Sequence, residues 1–176
     1  MSELRKAYPG GLFFLTLTVV GWVDVFIRPQ YTQIIIDSLR YCQQHKGLEL
    51  YAYVVMSSHI HLIAARTEGN LSDVLRDLKA HTARQLLKAI AENEHESRRE
   101  WMMRLFAYYA RPQRQNEQYM FWQKTTYPIA LWTPAVIRQK ADYIHNNPVA
   151  AGLVTAPEHY PLSSASYFSP LQMLPL

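Results

Sequence analysis

Residues 48–65 read LELYAYVVMSSHIHLIAA and give the clearest structural signal in this chain of 176 residues. Up to Met56 the residues follow the alternation that is typical of a β-strand, whose successive side chains point to opposite faces. A short polar link, Ser57-Ser58, is followed by a second apolar run from His59 to Ala65. Two such runs joined by so short a link predict an antiparallel hairpin.

The segments before the hairpin predict one strand and one helix. Residues 12–20 are rich in β-branched and aromatic side chains, which favour a strand, and residues 22–26 extend this strand or pair with it. Pro29 opens a pattern of apolar residues at spacings of three and four that closes near Gly47. This pattern predicts the first helix.

The segments after the hairpin predict a long helix and a fourth strand. Asn70 or Ser72 caps the helix, which has a long apolar stripe with charged residues mostly outside it. Residues 92–100 are polar and charged and predict an exposed or frayed helical connection. Residues 119–124 predict the fourth strand.

A last helix and an irregular tail complete the chain. Thr133 and Pro134 predict the start of the helix, with threonine as the cap and proline in the first turn. Pro148 predicts its end at about residue 147, because proline disfavours helical geometry in the residue before it. Residues 156–176 contain four prolines and predict a tail with little regular structure.

This order of elements predicts an α+β domain over residues 1–155, with a ferredoxin-like antiparallel sheet and helices packed on it. A hydrophobic content of 49% with 18% charged residues excludes a disordered chain. Cys42 is the only cysteine, which excludes an internal disulfide and favours a reducing compartment, the cytoplasm. The apolar run at residues 12–20 alternates like a strand rather than a signal peptide, and no run approaches the ~18 residues of a membrane span.

The positive charge is concentrated in one segment. Residues 98–114 contain five arginines and one glutamate, a net charge equal to the +4 of the whole chain, with four aromatic residues interleaved. Arginine binds phosphates and aromatic faces stack on bases, so this composition suits a nucleic-acid strand. A solvated helical face with aromatic residues on the core side explains it equally well.

His59 and His61 flank Ile60 in the predicted third strand, so both imidazoles project from the same face and can bind one ion. Neutral imidazole binds Mn, Ni, Co or Zn readily, whereas Mg sites are usually richer in oxygen. Two ordinary surface or hydrogen-bonded histidines are the alternative interpretation.

Tyr143 and Asn147 lie four residues apart in the last predicted helix and therefore share one face. A tyrosine hydroxyl can attack phosphorus and form a covalent phosphotyrosine, and an amide oxygen can complete a metal site. Lys140 or Gln139, one turn earlier, could assist the loss of the hydroxyl proton, although each is also explained as a solvated residue. A ring that packs on the helix with its hydroxyl in water is the alternative for Tyr143.

Residues 51–65, YAYVVMSSHIHLIAA, closely resemble the metal-binding hairpin of single-tyrosine HUH transposases, the insertion-sequence-200-like family. Residues 143–154, YIHNNPVAAGLV, resemble the tyrosine helix of the REP-associated branch, in which Asn replaces the Gln of insertion-sequence members. Phe121-Trp122-Gln123 resembles the Trp-Gln element of that branch. The resemblance covers most of the chain from the first strand to Val154, but residues 92–118 do not match the family pattern.

The resemblance implies a single-strand DNA endonuclease and transposase that cleaves and rejoins hairpin-flanked DNA through a 5′-phosphotyrosine. It implies that Tyr143 is the nucleophile, that His59 and His61 bind a divalent metal, Mg or Mn, and that Asn147 supplies a third ligand. The implied partner is single-stranded DNA with a REP-like palindromic hairpin, bound by a monomer or a homodimer. The implied location is the cytoplasm, at the nucleoid when on DNA, with no membrane partner.

Eight further residues are candidates for DNA contacts, either as cations for the backbone or as groups for the bases. For each of them, a solvated polar group or a buried aromatic ring is the alternative. They are His81, Arg84, Lys88, Arg98, Arg99, Arg104, Trp122 and Gln123. Two rival functions are a nucleic-acid-binding module without cleavage, which has no need of the histidines with Tyr143, and a metal-dependent hydrolase that uses water.

Overall fold

The computed structural model describes residues 10–112, 118–126 and 128–176. The strands are β1 (Phe13–Thr18), β2 (Leu48–Val55), β3 (His59–Arg66) and β4 (Ile129–Ala130). The helices are α1 (Pro29–His45), α2 (Leu71–Glu92), α3 (Arg99–Ala110) and α4 (Pro134–Ala150). Among the described residues, none of the helices combines the length and apolarity that a membrane crossing requires.

The sheet has the order β2-β3-β1-β4, and each neighbouring pair is antiparallel. This is the ferredoxin-like arrangement, in which β3 lies between the two strands that α1 connects. The hairpin closes as expected at Ser57-Ser58, where Met56 N donates to His59 O at 2.8 Å. The predicted fold class and hairpin are therefore confirmed.

The two faces of the sheet carry two separate apolar clusters. On one face, strand residues such as Leu17 and Leu62 pack against α1, α2 and α3. On the other face, Phe14 and Ile63 pack against Ile144 of α4. Because side chains alternate along β3, the two histidines point to the same face as Ile63, which α4 covers.

The prediction of a fourth strand at residues 119–124 is wrong. Within the described residues this segment makes only an isolated bridge between Trp122 and Val19, and β4 lies later in the chain. Phe121 and Trp122, which suggested a strand, are buried in the larger apolar cluster instead, and Tyr119 is half-buried. Residues 22–26 also do not extend β1, because Val20–Trp22 forms a 3-10 turn at its end.

The prediction that the last helix stops before Pro148 is also wrong, because α4 continues to Ala150. Ile144 and Pro148 are both buried, so packing outweighs the backbone restriction that proline imposes. The helix is terminated by Gly152, which lies two residues beyond Ala150 and has a φ of +70°. Leu153 N donates to Pro148 O at 2.9 Å and Gly152 N to Val149 O at 2.9 Å, the Schellman pattern of a glycine-terminated helix.

The connection before α3 is not uniformly exposed, because Glu96 is buried within it. Its carboxylate accepts hydrogen bonds from Arg28 Nε at 3.0 Å and Arg98 Nε at 3.0 Å. The hydrogen bond from Arg98 is the main cause that holds the pKa of Glu96 down at about 2, against the opposing effect of burial. This ion pair, in which only the carboxylate is fully buried, ties the loop before α3 to the start of α1.

The C-terminal tail lies along the outer edge of β2. Val55 N donates to Leu162 O at 2.9 Å, Leu174 N donates to Leu50 O at 2.8 Å, and Ser163 forms a bridge with Val54. The tail therefore pairs with backbone groups that an edge strand otherwise exposes.

Candidate active site

Three of the predicted site residues lie together on the α4 side of the sheet. The ring centroids of His59 and His61 are 4.8 Å apart, and the ring of Tyr143 lies 5.3 Å from that of His61. Ala141 and Ile144 are buried against the sheet and fix α4 in place, while Tyr143 stays 49% exposed. The ring of Tyr143 thus lies beside an imidazole while half of the side chain stays exposed to solvent.

Phe14 of β1 forms the floor of this cluster. Its ring stacks on His61 at 5.3 Å and meets the ring of Tyr143 edge-on at 5.9 Å. Lys140 Nζ lies 4.9 Å from the centroid of Phe14 and 5.7 Å from that of Tyr143. A positive charge is therefore held beside the tyrosine ring, one helical turn before it.

The orientation of His61 is fixed from β1. Thr16 is its register partner, and Thr16 Oγ1 is hydrogen-bonded to His61 Nδ1 at 2.9 Å. With Thr16 accepting from Nδ1–H, the other ring nitrogen, Nε2, keeps its lone pair. That Nε2 is buried and has no hydrogen-bond partner within the described part of the chain. A buried nitrogen left without a partner fits a metal ligand whose second nitrogen is held by a neighbouring group.

Both histidines favour the neutral form that metal binding requires. Burial, with smaller contributions from the positive charges of His59 and Lys140, lowers the pKa of His61 to about 3. Burial also lowers the pKa of His59, against the opposing effect of Asp24. At neutral pH both rings therefore present a lone pair rather than a charge.

Asn147 follows Tyr143 by one turn of α4 and is half-buried. Among the described residues, no group of three or more His, Cys, Asp or Glu side chains is placed to hold a metal. The two histidines therefore need a ligand of another type to complete a site.

The candidate DNA contacts on α2 are not part of this cluster. His81, Arg84 and Lys88 are exposed on α2, which packs on the face of the sheet opposite to α4. The sheet lies between these three residues and the histidine pair, so any DNA contact they make is remote from Tyr143.

The remaining DNA candidates have mixed environments. Arg98 is held by Glu96 and also donates to Asp24 O at 2.9 Å. Arg104 is exposed on α3 and Arg99 is half-buried. Arg98 is therefore engaged in contacts within the protein, whereas Arg104 is exposed to solvent.

Trp122 and Gln123 lie in the segment that makes an isolated bridge with the residue after β1. Trp122 is only 6% exposed, and its Nε1 donates to Thr82 Oγ1 at 3.0 Å. Its ring packs with Phe26 and is not available for a base in this structure. Gln123 is half-buried, and its backbone N–H donates to Thr18 O at 2.8 Å.

Three neighbours of the site were not identified from the sequence as functional. Phe14 and Thr16 are ordinary members of the predicted first strand, and only their position in the same face as the histidines gives them a role. Trp22 meets the ring of His59 edge-on at 5.4 Å. In the sequence, only the alternation of Thr16 and Thr18 with apolar residues indicated that polar side chains of β1 share one face of the sheet.

The family described as "Transposase IS200 like" matches residues 24–147. A solved structure described as the REP-associated tyrosine transposase bound to a REP hairpin matches with a TM-score of 0.64 and 22% identity, covering 91% of this chain and 79% of that chain. A crystal structure of a candidate transposase from Deinococcus radiodurans has a TM-score of 0.45 and 19% identity, covering 79% and 92%. No protein with a curated description matches. The first likeness confirms the fold.

Proposed function

This chain belongs to the IS200-like transposase family and is an enzyme of the transposase class, and on that basis we propose that it cleaves and rejoins single-stranded DNA through Tyr143. The observation that supports this most directly is the ring of Tyr143 at 5.3 Å from His61, whose Nε2 is buried without a partner in the described part of the chain. The proposed nucleophile and the proposed metal ligand thus lie on the same face of the sheet.

His59 and His61 are the residues that would hold a divalent metal, with the amide oxygen of Asn147 as a third ligand. The nitrogen donors suit Mn well, and an added amide oxygen also admits Mg. When bound, such an ion polarises a nonbridging phosphate oxygen and orients the scissile bond. The hydrogen bond between Thr16 Oγ1 and His61 Nδ1 leaves Nε2 as the nitrogen that would bind the ion.

The proposed reaction conserves the energy of the cut bond. The hydroxyl oxygen of Tyr143 attacks phosphorus and loses its proton, the bond from phosphorus to the 3′ oxygen breaks, and that oxygen leaves as a 3′-hydroxyl. The product is a 5′-phosphotyrosine, and attack by a 3′-hydroxyl reverses the step. Lys140 beside the ring stabilises the negative charge of the attacking oxygen and of the phosphate.

The proposed substrate is a hairpin with single-stranded flanks, similar to a REP palindrome. The fold neighbour at 22% identity is described as bound to a REP hairpin, and the tyrosine helix of this chain resembles that branch. The exposed face of α3, with Trp101, Arg104 and Tyr108 at helical spacing, offers aromatic and basic groups to a flanking strand. The proposed cleavage and rejoining of DNA would take place in the cytoplasm, at the nucleoid.

We test the chemistry with a pool of DNA hairpins that carry randomised single-stranded flanks and a 3′ label. After incubation with Mn, a denaturing gel should show a labelled band that migrates with the protein, because the 5′-phosphotyrosine carries the 3′ fragment. Tyr143→Phe should abolish this band. Tyr167→Phe, at an exposed tyrosine of the tail, is the matched control and should retain it.

The same reactions, run in parallel on a native gel that reports binding, separate the rival functions. Cleaved DNA without a covalent band, and unaffected by Tyr143→Phe, would favour a water-using hydrolase. Binding without any cleavage would favour a DNA-binding module. A covalent band that persists in Tyr143→Phe would contradict the proposed nucleophile.

A further inference from the structure

Trp22 has a backbone conformation that is rare for a large residue. Its φ is +55°, and it follows Gly21, whose φ is +65°. Trp22 N donates to Val19 O at 3.1 Å, which closes the 3-10 turn at the end of β1. A bulky side chain at positive φ is strained, and such strain persists only where the surrounding structure enforces it.

The surrounding structure does enforce this turn from two sides. A Cβ added at Gly21 would meet side-chain atoms of Leu105 at 3.1 Å and Tyr109 at 3.2 Å, so the turn packs closely under α3. On the other side, Val20 N donates to Phe121 O at 2.9 Å. Glycine at position 21 is therefore needed for both its φ and its close approach, and the turn that presents Trp22 is rigid.

The enforced turn exposes Trp22 rather than burying it. The side chain is 60% exposed, while its ring lies edge-on to His59 at 5.4 Å between centroids. A tryptophan that served only to stabilise the fold would place most of its surface in the core. Strain that places an exposed aromatic ring beside the histidine pair points to a role in binding.

The chemistry of the helix that packs on this turn indicates the ligand. Trp101 and Tyr108 are exposed on α3, the helix that clamps the turn, and Arg104 lies between them on the same face. Aromatic faces bind nucleobases by stacking with little dependence on sequence, and arginine binds the phosphates between them. A single-stranded flank is the ligand that matches this set.

We infer that Trp22 stacks on a nucleobase next to the phosphate that Tyr143 attacks, and so holds the strand in register with the histidine pair. The inference rests on the proposed function, because it assumes that the strand passes over His59. It adds a binding residue in the 3-10 turn to the site on β3 and α4.

The test measures binding without cleavage. Fluorescence anisotropy with a labelled 12-nucleotide thymidine strand in EDTA reports affinity when no metal is present. Trp22→Ala should weaken binding about tenfold, within the range for loss of one stacked base. Trp22→Phe should stay within about threefold of wild type, and Phe168→Ala, which removes an exposed aromatic residue of the tail, should have no effect.

A 12-nucleotide strand without bases tests whether the loss of affinity comes from base stacking, because it keeps the phosphates and removes the bases. Wild type should bind it more weakly than the thymidine strand, and Trp22→Ala should lose less than wild type does. If Trp22→Ala fails to fold, Trp22→Gly makes the same truncation with a residue that adopts positive φ readily. Equal affinity of wild type and truncated variant for the thymidine strand, no binding by wild type, or an equal loss on the abasic strand would overturn the inference.

The two proposals fail separately. Covalent adduct formation that is normal while Trp22→Ala binds like wild type would refute the stacking role alone. Loss of binding in Trp22→Ala while wild type forms no adduct would refute the proposed chemistry and leave the stacking role in place.

Discussion

At the level of single residues, the hydrogen bond between Thr16 and His61 decides which nitrogen of His61 faces the candidate site. Thr16→Val keeps the shape of the side chain and removes this bond. We expect Mn affinity, measured by calorimetry, to fall about tenfold, the lower end of the effect that such supporting groups have on metal sites.

Thr18→Val is the matched control for this prediction, because Thr18 lies two residues along β1, on the same face, opposite His59. It should change Mn affinity less than Thr16→Val does. Equal losses from both substitutions would indicate a general effect on β1 and would contradict the role given to Thr16.

The residues to which we assign direct chemical roles could be proposed from the sequence, but the residues that support them could not. His59, His61 and Tyr143 stand in recognisable motifs, and the structure brings their rings together. Thr16 is a routine strand residue until the register of β1 with β3 is known. Trp22 has an unusual role only because of its φ, which no sequence pattern specifies.

At the level of elements, the segment at residues 118–126 is held by side chains of α2 as well as by a single bridge to the end of β1. Lys79 Nζ donates to Gln123 O at 2.8 Å and Thr126 Oγ1 at 3.2 Å, and Thr82 accepts from Trp122. Aromatic composition predicted a strand here because strands and buried loops favour the same residues. The hairpin and α2 were predicted correctly because their periodic patterns and link lengths are local properties.

The burial of Lys79 predicts a pH dependence of stability. Desolvation lowers its pKa to about 8 from 10.5. Between these values the unfolded chain holds a proton that the folded chain has released, so the free energy of unfolding rises with pH across this window. We expect the free energy of unfolding of wild type, relative to that of Lys79→Met, to increase by up to about 2 kcal/mol between pH 7.5 and 9.5. Urea titrations at each pH measure this difference.

Lys88→Met provides the control, since Lys88 lies exposed on the same helix. Its stability relative to wild type should stay constant over the same pH range. A Lys79→Met difference that is flat, or that falls as pH rises, would show that Lys79 is not desolvated in the folded protein.

At the level of the whole molecule, the sheet divides the chain into a packing side and a site side. α1, α2 and α3 build the larger core, which leaves the other face to α4. Tyr143 therefore reaches the histidines of its own chain. This arrangement supports a site that is complete in one protomer, rather than one in which two copies exchange the tyrosine helix.

Mixing two inactive variants tests this last point. Tyr143→Phe keeps the histidines and His61→Ala keeps the tyrosine, so two chains that exchange α4 would rebuild a complete site in the mixture. If each chain is complete in itself, the mixture should give no covalent adduct with the labelled hairpin pool in the presence of Mn. Wild type diluted with Tyr143→Phe should meanwhile form adduct in proportion to its share. An adduct from the mixed variants would instead mean that the tyrosine helix acts across a dimer, despite its packing on its own sheet here.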